Sequence, residues 1–233
     1  MTKNTEITKE NPRIEALFKA GAHFGFIKSR RHPTAAPYIF GVKNRVEIFN
    51  LEKTEMLLSD ALEYVKKLGA DKKTILFVGG KSEAKQAIRK AGQALNMPYV
   101  AGRWVGGTIS NFPEIKKRIE KLQDLTVKRE KGELSKYTKK ERLLIDREID
   151  RLEMLFSGLI PLTKAPDAMF IVDSKKESIA LAEAKAANIP VIALCGSDCN
   201  LNEVNHPIVG NDATLSSINY VVDEIIAAYK EAK

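Results

Sequence analysis

The chain has 233 residues, 38 of them Lys or Arg and 30 Asp or Glu, giving a formal net charge of +8 and a pI of about 9.3. That length can bury a substantial core and hold one domain with an appendage, and the basic balance favours an acidic partner. Two cysteines argue against a disulfide scaffold and for a reducing compartment, no apolar run approaches the ~18 residues that span a bilayer, and the polar start MTKNTEITKENP does not read as a signal peptide.

The charge is unevenly placed. Residues 1–153 carry 32 basic and 20 acidic side chains, whereas residues 154–233 carry 6 and 10. Such an imbalance points to a nucleic-acid or anionic-surface contact made by the first part. In chain order, Asn11 as N-cap and Pro12 at the first helical position predict a short helix with Ile14, Leu17 and Phe18 on one side, ended by Gly21. From Lys19 to Arg45 there are six cations (Lys19, Lys28, Arg30, Arg31, Lys43 and Arg45) and no carboxylate, with Phe24, Phe26, Tyr38 and Phe40 interleaved. Cations along a backbone with aromatics between them suit RNA, where phosphates pair and bases stack. His23 and His32 lack a metal-ligand pattern and read as hydrogen-bonded loop residues.

Tyr38–Phe40 and Val46–Phe49 predict a hairpin about Gly41 to Arg45. Asn50 then caps a helix with Leu58, Leu62, Val65 and Leu68 on one face, closed by Gly69. Thr74–Val78 is a continuous apolar run of the kind buried on both faces of a parallel sheet, and Gly79–Gly80 turn it into a helix through Leu95. The string GGKS is not a Walker A loop, because the glycine required five positions before Gly80 is Ile75. A helix N-terminus beside Lys81 can still hold an anion. Met97–Val100 is a further short strand.

Next comes GRWVGGTISNFP, which separates apolar α/β sequence from a charge-rich stretch. Gly102, Gly106 and Gly107 surround the only Trp, Trp104, with Arg103 beside it. Two readings stand: a tight packed junction, or glycine amides and Arg103 meeting an anion such as a phosphate. Asn111 and Pro113 suit a helix start. Residues 114–153 hold 13 basic and 10 acidic side chains around a thin apolar seam of Ile115, Ile119, Leu122, Ile145, Ile149, Leu152 and Phe156. Gly132 and Ser135 break the run, and Thr138-x-x-Glu141 is a capping box. The pattern predicts an antiparallel helical hairpin with a coiled-coil-like contact, inserted at 113–153 into a core made of 1–112 and 154–233, with a basic N-terminal extension over 1–50.

The α/β pattern resumes with a strand at Ala168–Val172, a capping box at Ser174-x-x-Glu177 opening a helix to Ala187, a strand at Ile189–Leu194 and a last helix from Thr214. Alternating strands and helices predict a parallel sheet covered on both faces. Cys195, Cys199 and His206 are the only metal candidates. Their Cys-x3-Cys spacing is not a usual structural zinc pattern and a fourth ligand is not evident, so they read as ordinary thiols.

GAHFG (Gly21–Gly25), PYIFG (Pro37–Gly41), RWVGGTISNF (Arg103–Phe112), TKKE (Thr138–Glu141), PDAMFIVD (Pro166–Asp173) and PIVGND (Pro207–Asp212) together resemble, in order and spacing, the small-subunit ribosomal protein S-two family. The resemblance covers nearly the whole chain. It implies a flavodoxin-like α/β/α core with a protruding helical hairpin and a non-catalytic, cytoplasmic, ribosome-bound role. It further implies binding of small-subunit ribosomal RNA between head and body, contact with other small-subunit proteins, help in docking the mRNA-binding protein S-one, and no cofactor. The candidate RNA contacts are the six cations above with Lys81, Arg103, Lys116 and Lys117. The sequence departs from the family at Phe26, where a second His is usual, at Arg31 and His32, at Thr34 and Ala36 in place of lysines, and at GSDCNL (Gly196–Leu201) in place of DTNCDP. The other reading is a nucleotide- or phosphate-binding enzyme on the same scaffold. The missing phosphate fingerprint and the charge of residues 1–153 favour the ribosomal one.

Overall fold

A computed structural model describes residues 11–233; the polar start at 1–10, which opens the basic extension, lies outside them. Asn11 accepts a hydrogen bond from the Arg13 amide and starts α1 (Pro12–Lys19), whose Leu17 is fully buried. A small antiparallel sheet follows, made of β1 (Phe24–Ile27), β2 (Ile39–Lys43) and β3 (Val46–Phe49) in the order β1-β3-β2. β1 was not anticipated: FGFI is short and sits among cations that read as a loop. The hairpin turn is tighter than Gly41 to Arg45. Asn44 and Arg45 take φ of 51° and 67°, the positive values that a two-residue type I′ hairpin turn needs at both central positions.

Asn50 caps α2 (Leu51–Ala70) by accepting from the Glu52 and Lys53 amides. Gly69 does not close this helix. A Cβ there would lie 2.7 Å from the Tyr229 carbonyl oxygen, so the glycine serves close helix packing inside the last turn. The core then runs β4 (Ile75–Val78), α3 (Lys85–Leu95), β5 (Tyr99–Val100), α4 (Phe112–Glu130), α5 (Lys139–Phe156), β6 (Ala168–Val172), α6 (Ser178–Ala186), β7 (Val191–Cys195), β8 (His206–Val209) and α7 (Leu215–Ala232). All pairings among the five core strands are parallel, in the order β5-β4-β6-β7-β8. Counted from the first core strand this is 2-1-3-4-5, the flavodoxin-like order.

Strand alternation divides the core into two apolar layers. Ile75, Phe77, Ala168, Phe170 and Val172 face α2, α3 and α7, while Leu76, Val78, Met169 and Ile171 face the other side with Trp104, α6 and the bases of α4 and α5. The predicted capping box at Ser174–Glu177 does not form. α6 begins at Ser178, because the Asp173 carboxylate accepts from the Lys175 and Lys176 amides and Glu177 is engaged elsewhere. The box at Thr138–Glu141 does form and opens α5. Helices α4 and α5 run antiparallel, with Lys121 Nζ 2.5 Å from Glu148 Oε1. Ile115, Ile119, Leu122, Ile149, Leu152 and Phe156 are buried in the same cluster as Leu76, Val78 and Met169, so the base of the pair is continuous with the core.

Candidate nucleic-acid interface

The basic segment is built on the small sheet and fastened by the loop after β7. Ser197 Oγ accepts the Phe26 N–H at 3.0 Å and the Ser197 carbonyl accepts the His32 N–H at 2.8 Å. Thr34 Oγ1 donates to the Cys199 carbonyl and accepts from the Leu201 amide. With the backbone held, register decides where the cations stand. Ile27 and Lys43 both pair with Val46, which brings Lys28, Lys43 and Arg45 to one end of the sheet. These three are exposed and enter no ion pair among the described residues. Ile27 is half-exposed beside them, while Phe24, also half-exposed, and Phe40, 79% exposed, lie toward the other end of the sheet.

The remaining cations differ in kind. Arg31 Nη1 holds the fully buried Glu47 carboxylate at 3.1 Å and is part of the packing. Arg30 lies 4.6 Å over the Phe26 ring and reaches Asp198 at 3.5 Å. Lys19 pairs with Glu15 at 2.6 Å and Lys117 with Glu114 at 2.6 Å, while Lys116 lies 3.9 Å from Glu120, all on exposed surface. Of the two histidines expected to be hydrogen-bonded, His32 accepts the Thr34 amide, whereas His23 stacks on Phe18 with Phe24 tilted against it, its Nδ1 is buried without a partner among the described residues, and burial lowers its pKa.

Lys81, a candidate RNA contact by sequence, is instead buried, with Nζ 2.7 Å from Asp173 Oδ2 and 2.7 Å from Asp212 Oδ2, and is spent on internal charge compensation. Burial works to lower the Lys81 pKa, and its pairing with Asp212 and Asp173 outweighs that and raises it. Burial lifts Asp212 to about 6 in spite of the lysine, as expected where one cation serves two enclosed carboxylates.

The glycine-rich junction does meet an anion, but one from its own chain. Glu183, on α6, accepts from the Gly107 amide (2.7 Å) and Trp104 Nε1 (3.2 Å) on one oxygen. The other oxygen accepts from the Ile109 amide (2.9 Å) and from Ser110 N and Oγ. Burial tends to raise the Glu183 pKa, and these donors outweigh it and hold it below the usual value. Trp104 is 7% exposed and Gly107 has φ of +90°, so both are required by the turn. A Cβ at Gly102 would meet nothing within 4 Å and one at Gly106 only Glu183 Oε1 at 4.0 Å, so neither is demanded sterically. Arg103 is exposed and takes no part in the cluster. Glu183 was missing from the candidates.

Cys195 and Cys199 are buried free thiols near Ser174 and Asp173. His206 is not beside them: it pairs with Ile192 at the opposite end of β7 from Cys195 and stacks on Tyr64 at 4.1 Å. Asp173, Cys199 and Asp212 do bring potential ligand atoms within 4.8 Å of one another, but the Lys81 ammonium lies against both carboxylates.

A family model described as Ribosomal protein S2 matches residues 17–232. The chain belongs to that family. It is similar to the small ribosomal subunit protein uS2 of Sulfurimonas denitrificans, 39% identical over 220 residues that make up 94% of this chain and 85% of the relative. It is likewise similar to uS2 of Wolinella succinogenes, 38% identical over 220 residues, 94% of this chain and 81% of that one. Membership makes it a ribosomal protein of the small subunit rather than an enzyme. No helix among the described residues is long and apolar enough to cross a membrane.

Within the S2 family pattern, two departures acquire a structural meaning. Phe26, in place of the usual His, forms an apolar floor under Arg30, with its ring centroid 5.7 Å from Lys81 Nζ. Arg31, another departure, is drawn inward to neutralise the buried Glu47 carboxylate.

Proposed function

We propose that the protein binds small-subunit ribosomal RNA through its basic N-terminal segment, between head and body of the subunit, and helps dock the mRNA-binding protein S-one. The observation that carries the RNA reading is the gathering of Lys28, Lys43 and Arg45 at one end of the small sheet, with Phe24 and Phe40 exposed further along the same sheet. Cations placed for phosphates on a surface with accessible rings are what single-stranded or looped RNA engages. The helical pair at 113–153 acts as a further arm for RNA or protein contacts, and family membership supports the S-one role.

Replacing Lys28, Lys43 and Arg45 together by Gln tests the RNA contact. Each phosphate contact contributes roughly −0.7 to −0.9 to the slope of log affinity against log salt, so the triple variant is expected to flatten the slope by about 2 to 3. Unchanged affinity and slope would show that this end of the sheet does not touch the RNA. Gradient co-sedimentation of protein S-one with subunits reconstituted with and without the protein tests the docking role.

A further inference from the structure

We infer that the crevice at the carboxyl ends of β4 and β6, lined by Lys85, Arg103 and Lys176, holds a phosphate of an RNA backbone. The inference rests on the RNA-binding reading and extends it to a second surface, on the core domain. The crevice has a volume of about 370 Å³, and Trp104, Glu177 and Ile179 complete its walls. Its three cations come from three elements: Lys85 is the first residue of α3, Arg103 lies in the turn after β5, and Lys176 precedes α6. All three are exposed, and among the described residues none is in an ion pair. Most other cations facing the C-terminal edge of the sheet are spent: Lys81 on Asp173 and Asp212, Lys175 and Arg30 on Asp198.

The location is the topological switch point of the sheet, where β5 and β6 flank β4 on opposite sides. Ligands of open α/β sheets bind there, and the nearby start of α3 adds partial positive charge. The wall at Gly80 decides the kind of ligand. Its amide donates to Glu177 Oε1 at 3.0 Å, and a Cβ at Gly80 would lie 2.5 Å from that oxygen and 2.9 Å from the Gly102 carbonyl oxygen. The amide cradle that encloses a nucleotide's phosphates is therefore occupied from within. A phosphodiester presented from outside needs only the side-chain cations, and those are in place. Lys176 also lines an adjoining cavity with Arg30 and Lys175, which are paired with Asp198, and with Glu83 and Asp173.

The test compares Lys85→Gln/Arg103→Gln/Lys176→Gln with Lys28→Gln/Lys43→Gln/Arg45→Gln, using full-length in vitro transcribed small-subunit ribosomal RNA at 50 to 200 mM salt. With one phosphate held there, the crevice variant should lose affinity across that range about 3-fold less steeply than the unsubstituted protein. A flattened slope for the small-sheet variant with no change for the crevice variant overturns this inference and leaves the RNA reading standing. No RNA binding by the unsubstituted protein removes both. Calorimetric titration with a mononucleotide separates the other source of phosphate: saturable binding lost in the crevice variant, with RNA affinity untouched, would make the crevice a nucleotide site and overturn the RNA assignment.

Discussion

Glu183 organises the turn that joins β5 to the helical pair, and its removal should be costly in a calculable way. Its two oxygens take three backbone amides, the Ser110 hydroxyl and the Trp104 indole. Ser110 is exposed and its groups turn to water when the carboxylate is gone, whereas the indole of Trp104 and the Gly107 and Ile109 amides are at least partly enclosed. A buried donor left without a partner costs about 1–3 kcal/mol, and partial access of water brings the three together to roughly 2–4 kcal/mol for Glu183→Ala at pH 7. Glu183→Gln should cost less, since one oxygen survives while its NH2 faces donors. Because the folded-state pKa of Glu183 is depressed, its contribution is present above the unfolded value near 4.5 and disappears as pH falls through the lower folded value. The gap between Glu183→Ala and the unsubstituted protein should thus narrow below about pH 4.5. Urea denaturation followed by the fluorescence of Trp104, the only tryptophan, reads both effects. A loss under about 1 kcal/mol at pH 7, or a gap independent of pH down to 3, would refute the assigned role.

Arg31→Ala leaves the fully buried Glu47 without its cation and should destabilise the protein by about 3 kcal/mol, the lower end for breaking a buried pair because Arg31 is itself partly exposed. A chemical denaturation midpoint equal to the unsubstituted one would mean that Glu47 is compensated otherwise. Excising 126–144 and joining the ends by a Gly-Ser linker should leave a cooperative thermal transition by circular dichroism. Excising 116–151 should abolish it, since Ile119, Leu122 and Ile149 go too and each buried Ile or Leu removed costs about 2–5 kcal/mol. Equal stability of the two would return the whole pair to the status of a separable appendage.

Much of the core was legible in the sequence because its strands are apolar on both faces and its helices carry one apolar side. The central strands at Ile75–Val78, Ala168–Val172 and Val191–Cys195 stand out for that reason. β8 was missed because it is a four-residue edge strand containing Pro207, and proline argues against a strand unless the strand is at an edge. Ser174-x-x-Glu177 has the spacing of a capping box, yet Asp173 supplies the acceptor and Glu177 turns to Gly80. The site was less legible. The density of glycine amides around Trp104 indicated an anion, but nothing local could identify a glutamate 76 residues further along the chain. Burial of Lys81 was hidden similarly, since its partners lie on two later segments.

These internal pairings bear on which anions a flavodoxin-like scaffold of this sequence can accept. Such folds attract phosphates by free amides at the carboxyl ends of the strands and by a lysine placed among them. In this chain Glu177 takes the Gly80 amide, Glu183 takes the amides of the Gly107 turn, and Asp173 with Asp212 takes Lys81. A nucleotide phosphate entering any of these places would have to expel a carboxylate that is already hydrogen-bonded, and would leave that charge enclosed and unpaired, which is strongly destabilising. The carboxylates therefore act against small anions while stabilising the turns they cap. What they leave available is cationic side chains on the outer surface, Lys85, Arg103 and Lys176 at the crevice and Lys28, Lys43 and Arg45 on the small sheet. That arrangement favours a polyanion that presents many phosphates to a rigid surface over a single ligand that must be enclosed.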